Sequence, residues 1–256
     1  MILRRVGSKA KLAMEIQKHF PKHDIYIEPF FGAGGMYFSK PKAKHNICND
    51  KDSEIFNLYT VIQNSKDAFW DLVESTPINE ELFEWWKLNK ETEPLKKALR
   101  FIYLTNLSFG GLMASLSTNI LTQDKERFYD IINNAFKQLG NAKFLNKDFR
   151  DFFNEMNYPH GDGDKRNAFI YADPPYHGTA DTWEHSFTET DTQDLFELLS
   201  GIGIRFAMSE FNSPLVIELA DKHKLNVITL GERENLMNRR TEILITNYAT
   251  QQTSLF

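Results

Sequence analysis

Cysteine is almost missing from this chain: Cys48 stands alone, so no internal disulfide can form, and a reducing compartment suits the protein. With one thiol and scattered histidines, no Cys/His set has the spacing of a metal centre, and no metal is expected. No apolar run approaches the roughly 20 residues that a bilayer-spanning helix needs. No signal-peptide pattern is visible either, so a cytoplasmic protein with no membrane partner is expected. Low-complexity tracts and evident repeats are absent, which leaves a globular reading. Positive charge is also short, since 30 Lys and Arg against 35 Asp and Glu leave a net charge of −5. That total argues against a broad basic face, although it does not exclude a local one. What is present is 256 residues, 41% of them apolar, enough for one domain with an insertion and a sound core.

The run Ala168-Phe169-Ile170-Tyr171-Ala172 is short, apolar and β-favouring, and it predicts a buried strand that ends in Asp173-Pro174-Pro175-Tyr176. Two consecutive prolines cannot extend a helix, and neither has an N–H to give to a sheet. The chain must therefore leave the strand in a stiff, extended turn that presents its carbonyls. An acid, a fixed carbonyl and an aromatic ring then share a strand's carboxyl end, the edge where open α/β sheets bind ligands. Such a set suits a flat, amino-bearing ring, and adenine is the natural candidate. Its exocyclic nitrogen is a poor nucleophile, because the lone pair is delocalised into the ring. Asp173 and the Pro174 carbonyl can each accept one of its N–H groups, while Tyr176 offers a stacking face and a π cloud that favours developing positive charge. The rival reading is a proline-rich turn with a capping aspartate.

Ile25-Tyr26-Ile27-Glu28-Pro29-Phe30-Phe31 predicts a second, alternating strand that leads into Gly32-Ala33-Gly34-Gly35. Glycines there permit a tight turn and close approach of backbone to a ligand. Next, Asn46-Ile47-Cys48-Asn49-Asp50 predicts a strand closing on an acid, at a spacing that suits hydrogen bonds from ribose hydroxyls. For Asp50 a helix N-cap is the rival role. Lys143-Phe144-Leu145-Asn146-Lys147-Asp148-Phe149 predicts another brief strand, followed by an acid and a ring suited to a cofactor adenine. Taken alone, Asp148 reads first as a cap or a solvated acid. Between these strands apolar residues recur at helical spacing, as in Ile55, Leu58, Tyr59 and Ile62, then Leu95, Leu99, Ile102 and Tyr103, then Phe128, Ile131, Ile132 and Phe136.

In this order, Glu28-Pro29-Phe30-Phe31-Gly32-Ala33-Gly34, Asn49-Asp50, Asp148-Phe149 and Asp173-Pro174-Pro175-Tyr176 resemble the Dam-type (alpha-group) DNA adenine-N6 methyltransferases. Gly7-Ser8-Lys9 stands where that family has its amino-terminal Gly-x-Lys segment. Phe187-Thr188, Ala207-Met208-Ser209-Glu210 and Arg240-Thr241-Glu242-Ile243-Leu244 match later segments, so the likeness runs nearly end to end. It implies an α/β fold, a Rossmann-like S-adenosylmethionine-dependent methyltransferase sheet with a helical target-recognition insertion. Residues 1–55 and 141–256 would form the catalytic domain and 56–140 the recognition domain. The cofactor implied is S-adenosylmethionine, bound by Gly7, Lys9, Glu28, Pro29, Phe30, Gly32, Gly34, Asp50, Asp148 and Phe149. The catalytic set implied is Asp173, Pro174, Pro175 and Tyr176, acting on an adenine flipped out of double-stranded DNA. Candidate DNA contacts are Arg5, Lys9, Gly110, Gly111, Ser115, Asn119, Lys125, Arg239 and Arg240.

The segment Asn106 to Ser115 resembles the family's Phe-Asn-Gly-Leu stretch, where target recognition begins, and there the likeness breaks. The family commonly continues with an Arg-Tyr-Asn-type run and a basic β-hairpin that reads bases in the major groove. Here Leu116-Ser117-Thr118-Asn119-Ile120 leads quickly to Thr122-Gln123-Asp124-Lys125-Glu126 and a helix, so the hairpin is missing or shortened. Arg5 stands where the family usually has an aromatic. A GATC target is therefore not assumed, and a partner subunit that supplies recognition is an open expectation. An RNA adenine methyltransferase, or a non-catalytic DNA- or subunit-binding module, are the alternatives, because the proline motif reports a flat amino substrate rather than the polymer.

Overall fold

Unbroken runs of β-branched and aromatic residues mark strands that are covered on both faces, and two such runs form the centre of this fold. The computed structural model describes residues 2–3, 12–108, 111–116, 125–156, 162–176, 187–235 and 238–249. Its first elements are α1 (Ala13–Gln17), β1 (Ile25–Glu28), β2 (His45–Asn49) and α2 (Ser53–Ser75). Three more helices follow, α3 (Glu80–Leu88), α4 (Pro94–Asn106) and α5 (Lys125–Leu139). Then come β3 (Lys143–Leu145), α6 (Phe149–Asn154), α7 (Asp162–Asn167) and β4 (Ala168–Ala172). The chain closes with α8 (Glu189–Gly201), β5 (Arg205–Phe211), α9 (Pro214–Lys222), β6 (Asn226–Asn235) and β7 (Asn238–Thr246). Among these residues no helix is long and apolar enough to cross a membrane.

The chain divides into two compact units. One consists of Leu12–Phe30, Ala43–Asn49 and Lys147–Phe256 and carries a sheet whose described strands run in the order β2-β1-β4-β5-β7-β6. Strand β3 belongs to the other unit. Strand β1 runs parallel to β2 and to β4, with Ile27 opposite Ile47 on one side and Ile170 on the other. Strand β5 is parallel to β4, while β7 is antiparallel to both β5 and β6. From β1 the chain moves outward to β2; from β4 it moves the opposite way to β5. The order therefore reverses between β1 and β4, and in doubly wound sheets the ligand crevice lies at the carboxyl ends of the strands flanking that reversal.

The strand expected at Ala168–Ala172 is β4, and all five of its residues are buried. The alternation expected for Ile25–Phe31 is absent: β1 stops at Glu28 and buries all four residues. A parallel strand at the centre of an α/β sheet is packed on both faces, so nothing alternates. Phe20 illustrates the cover on one face, with its ring 4.6 Å from Phe169 and 5.5 Å from Tyr171.

The other unit contains Phe31–Lys42 and Asp50–Asn146. The helical periodicity of the sequence appears here as α2, α4 and α5, whose buried faces include Leu58, Ile62, Leu99, Ile102, Phe128 and Ile132. Helix starts carry their own stop groups. Asp52 accepts from the Glu54 N–H, Asn79 from Leu82, and Glu93 from Leu95 and Lys96 ahead of Pro94. Ser65, with φ −143° and ψ 36°, kinks α2.

Candidate active site

In the unit that carries β1 and β4, the strand ends bring together a face lined with acids and phenols. Side chains two apart on a strand share a face, so Tyr26 and Glu28 lie on one side of β1, as Tyr171 does on β4 just before Asp173. The Tyr26 hydroxyl donates to Glu28 Oε2 at 2.8 Å, and both residues are buried. The Tyr171 hydroxyl shares a 2.9 Å hydrogen bond with Ser209 Oγ on β5. Beyond the strand, Asp173 is partly exposed, Pro174 is buried, Pro175 is exposed and Tyr176 is buried. The Tyr176 hydroxyl donates to Glu242 Oε1 at 2.9 Å. Burial, reinforced by the Asp173 and Glu242 carboxylates, pushes the Tyr176 phenol well above its ordinary range. Burial and the Asp173 charge do the same at Tyr171. Both phenols therefore keep their protons at neutral pH.

The same unit holds an aromatic trio. Phe30 follows β1, Phe149 opens α6 and Phe187 precedes α8, with ring centroids 5.7 to 6.0 Å apart. Asp148 is the N-cap of α6, accepting from the Arg150 N–H at 3.0 Å, so the capping role open to it in the sequence is one it performs. The Arg150 guanidinium lies 4.4 Å above the Phe149 ring. It also pairs with Asp191 at 2.7 Å and Asp194 at 2.6 Å, which ties α6 to α8. Asn49, at the end of β2, makes three bonds: Nδ2 donates to the carbonyls of Pro29 and Lys147, and Oδ1 accepts from the Lys147 N–H, each at 3.0 Å.

In the other unit the glycine turn has its own logic. Gly32 (φ 51°) and Gly34 (φ 68°) are left-handed. The Gly34 N–H donates to the Phe31 carbonyl at 2.8 Å, and the Gly34 carbonyl accepts from the Phe38 N–H at 2.9 Å. Asp50 secures the turn, its Oδ2 accepting from the Gly32 N–H at 2.6 Å and its Oδ1 from the Asp52 N–H at 2.9 Å. The N-cap of α2 is Asp52, so the capping role weighed for Asp50 falls two residues later. The loop after α4 closes through a Ser108–Leu116 bridge, with Gly111 left-handed at φ 74° and Ser115 exposed. Gly7, Lys9, Arg5, Gly110 and Asn119 lie outside the described residues, as do the side chains of Lys125 and Arg239. The Arg240 guanidinium sits 5.3 Å over the Phe211 ring. No cluster of three or more metal-ligating side chains occurs among the described residues.

A profile of the D12 class N6 adenine-specific DNA methyltransferases matches residues 6–240. The chain belongs to that family. Among its curated relatives, "Type II methyltransferase M1.LlaDCHI" of Lactococcus lactis subsp. cremoris is 27% identical, the alignment covering 94% of this chain and 93% of that one. "DNA adenine methylase" of Escherichia coli K12 is 25% identical over 88% of this chain and 86% of its own length. "Modification methylase StsI" of Streptococcus sanguinis is 27% identical, and there the match covers 99% of this chain but 43% of the relative. The D12 class methyltransferase described here is thus an enzyme of adenine methylation on a mixed α/β fold.

Three side chains of this methyltransferase that shape the strand ends have partners that no local sequence pattern names. Asn49 and Glu242 fall in segments that resemble the family, but only as parts of a motif, and Arg150 left no signal at all. Glu242 did leave a further trace, because an acid directly before the apolar run Ile243-Leu244-Ile245 is out of keeping with its neighbours.

Proposed function

We propose that the protein transfers a methyl group from S-adenosylmethionine to N6 of an adenine flipped out of double-stranded DNA, with Asp173, Pro174, Pro175 and Tyr176 holding the base. The observation that carries this reading is the acid at the sheet's reversal point, where Asp173 stands partly exposed at the end of the fully buried β4. Its carboxylate and the Pro174 carbonyl would accept the two N–H groups of the exocyclic nitrogen and turn its lone pair out of the ring plane. The same acceptors stabilise the positive charge that develops there, and Tyr176 backs the base. The proton released by the methylated nitrogen passes to solvent. A neighbouring base would add little.

The residues present fit S-adenosylmethionine. Among the described residues, a Cβ on Gly32 would meet nothing within 4 Å, an open cradle beside the Asp50 carboxylate. Phe30 and Phe149 with Asp148 offer ring faces and an acceptor suited to an adenine, and Glu28 suits an ammonium group. Asp50 would take the ribose hydroxyls, with Gly34 and Pro29 shaping the turns on either side of Phe31, and Gly7 and Lys9 completing the set. When bound, the cofactor supplies the methyl group on an activated sulfonium, so positioning carries much of the rate. Residues 56–140 would form the recognition domain. Gly111, Ser115 and Arg240 are the DNA contacts proposed among the described residues; Arg5, Lys9, Gly110, Asn119 and the side chains of Lys125 and Arg239 make up the rest of the proposed set.

The test is methyl transfer from labelled cofactor to unmethylated genomic DNA, beside RNA, with Asp173→Ala as the comparison. Loss of one preorganised acceptor should lower kcat about 100- to 1000-fold while cofactor binding persists. Transfer to RNA alone, or transfer undiminished in the variant, overturns the reading. Methylation of one defined sequence by the purified chain alone would rule out a recognition partner.

A further inference from the structure

We propose that Glu242 is a positioning residue for methyl transfer: it fixes the Tyr176 ring and, through its negative charge, enriches that ring toward the accepting nitrogen. The inference rests on the role proposed above for Tyr176. Glu242 is 1% exposed, and Ile243, Leu244 and Ile245 after it on β7 are equally buried. A carboxylate in such a place costs stability unless it is compensated, and an apolar residue of similar size would fill the position at less cost. One contact that Glu242 makes there is with the Tyr176 hydroxyl, which donates to its Oε1 at 2.9 Å.

The strand register explains why the contact forms. Glu242 is paired with Phe211 of β5, so the two side chains share a face of the sheet. The Phe211 ring meets the Tyr176 ring edge-on, centroids 4.6 Å apart at 83°. Arg240, two residues before Glu242 and hence on the same face, sets its guanidinium 5.3 Å over the Phe211 ring. Tyr176 is thereby held at its hydroxyl and at its ring, while Pro175 restricts the backbone just before it. A hydroxyl bonded to a carboxylate is polarised more strongly than one bonded to a neutral group. The added electron density on the ring favours the cationic character that grows at the nitrogen during transfer. By contrast Tyr171, two residues before Asp173, shares its hydrogen bond with the neutral Ser209 hydroxyl.

The experiment compares wild type, Glu242→Gln, Tyr176→Phe and the double variant in single-turnover transfer to an adenine-containing duplex, with cofactor Kd and thermal melts for each. Glu242→Gln keeps the shape and an acceptor but removes the charge, and should slow transfer about 10-fold, the difference between a charged and a neutral hydrogen bond. Cofactor Kd and KM for DNA should hold. Tyr176→Phe should lose a similar factor, and the double variant should lose no more than either single one, because one interaction is removed in all three. Multiplying losses, a wild-type rate in either single variant, or a loss confined to KM overturns the proposal. Tyr176→Phe deletes one hydroxyl and keeps the test decisive where Glu242→Gln folds poorly. Wild type that transfers no methyl group to adenine overturns the functional reading as well; active wild type with unaffected variants overturns this inference alone.

Discussion

Gly32 and Gly34 sit two residues apart in one turn, yet the structure assigns them opposite vulnerabilities, which Gly→Ala substitution exposes. Both have positive φ, at 51° and 68°, so alanine at either position carries a left-handed backbone cost of about 1–2 kcal/mol. At Gly34 the new Cβ would also stand 2.5 Å from Phe38 Cε2, 2.7 Å from Phe38 Cδ2 and 2.8 Å from Phe31 Cε1. Neither ring can step aside freely. Phe31 is buried against Tyr59 at 4.8 Å and Phe144 at 4.7 Å, and Phe38 packs on Tyr37 at 5.3 Å and Tyr59 at 5.8 Å. Forcing a methyl into such a cluster adds about 1–3 kcal/mol, for a total of about 2–5 kcal/mol. For a chain of this size that lowers Tm by about 5–15 °C. At Gly32 no atom of the described residues lies within 4 Å of the added methyl, so the stability loss stays near the backbone cost alone. The methyl would instead occupy the open cradle, and cofactor affinity should fall about tenfold or more, the worth of roughly 1.4 kcal/mol. Differential scanning calorimetry and isothermal titration with S-adenosylmethionine read the two effects separately. Gly34→Ala as stable as wild type, or Gly32→Ala melting as low as Gly34→Ala while binding cofactor normally, refutes the reasoning.

Two further outcomes follow from single side chains. Asn49→Ala removes three hydrogen bonds and strands the Pro29 carbonyl and the Lys147 N–H, so urea unfolding should show a loss of about 2–4 kcal/mol; an unchanged midpoint contradicts the role given to it. Asp191 is a pH-dependent support: partial burial raises its carboxyl, but hydrogen bonds from the Thr188 hydroxyl and N–H, and from Arg150, hold it below the ordinary 3.8. A depressed acid stabilises the fold above its unfolded pKa, and that stability fades as pH falls through its folded one. Asp191→Asn should therefore melt below wild type at pH 7, by about 1 kcal/mol for a weakened cap, with the gap closing as pH drops below about 4. A gap that stays constant down to pH 3 would count against the Thr188 and Arg150 contacts.

The features legible in the sequence are those that local chemistry dictates. A run of five apolar residues cut by Asp-Pro-Pro must be a buried strand with a stiff exit, and β4 ends where the run ends. Glycines ahead of apolar, helically spaced residues announce a turn, and α2, α3 and α4 begin at their capping side chains. Periodicity misled at β1, because alternation in a sequence reports side-chain polarity and not whether a strand is covered on one face or two.

The sequence by itself determined the strand-end acids, the glycine turn and the helical insertion, since each depends on residues within a few positions of one another. Only the tertiary structure decided what holds the strand ends in place. Arg150 meets Asp191 and Asp194 across 41 and 44 residues, Asn49 meets Lys147 across 98, and Tyr176 meets Glu242 across 66. The last pair exists because β7 enters antiparallel beside β5 and sets Glu242 opposite Phe211. No local pattern specifies that register. It is chosen when the two strands bury their apolar faces together, and a slip of one residue would turn Glu242 to the opposite face of the sheet.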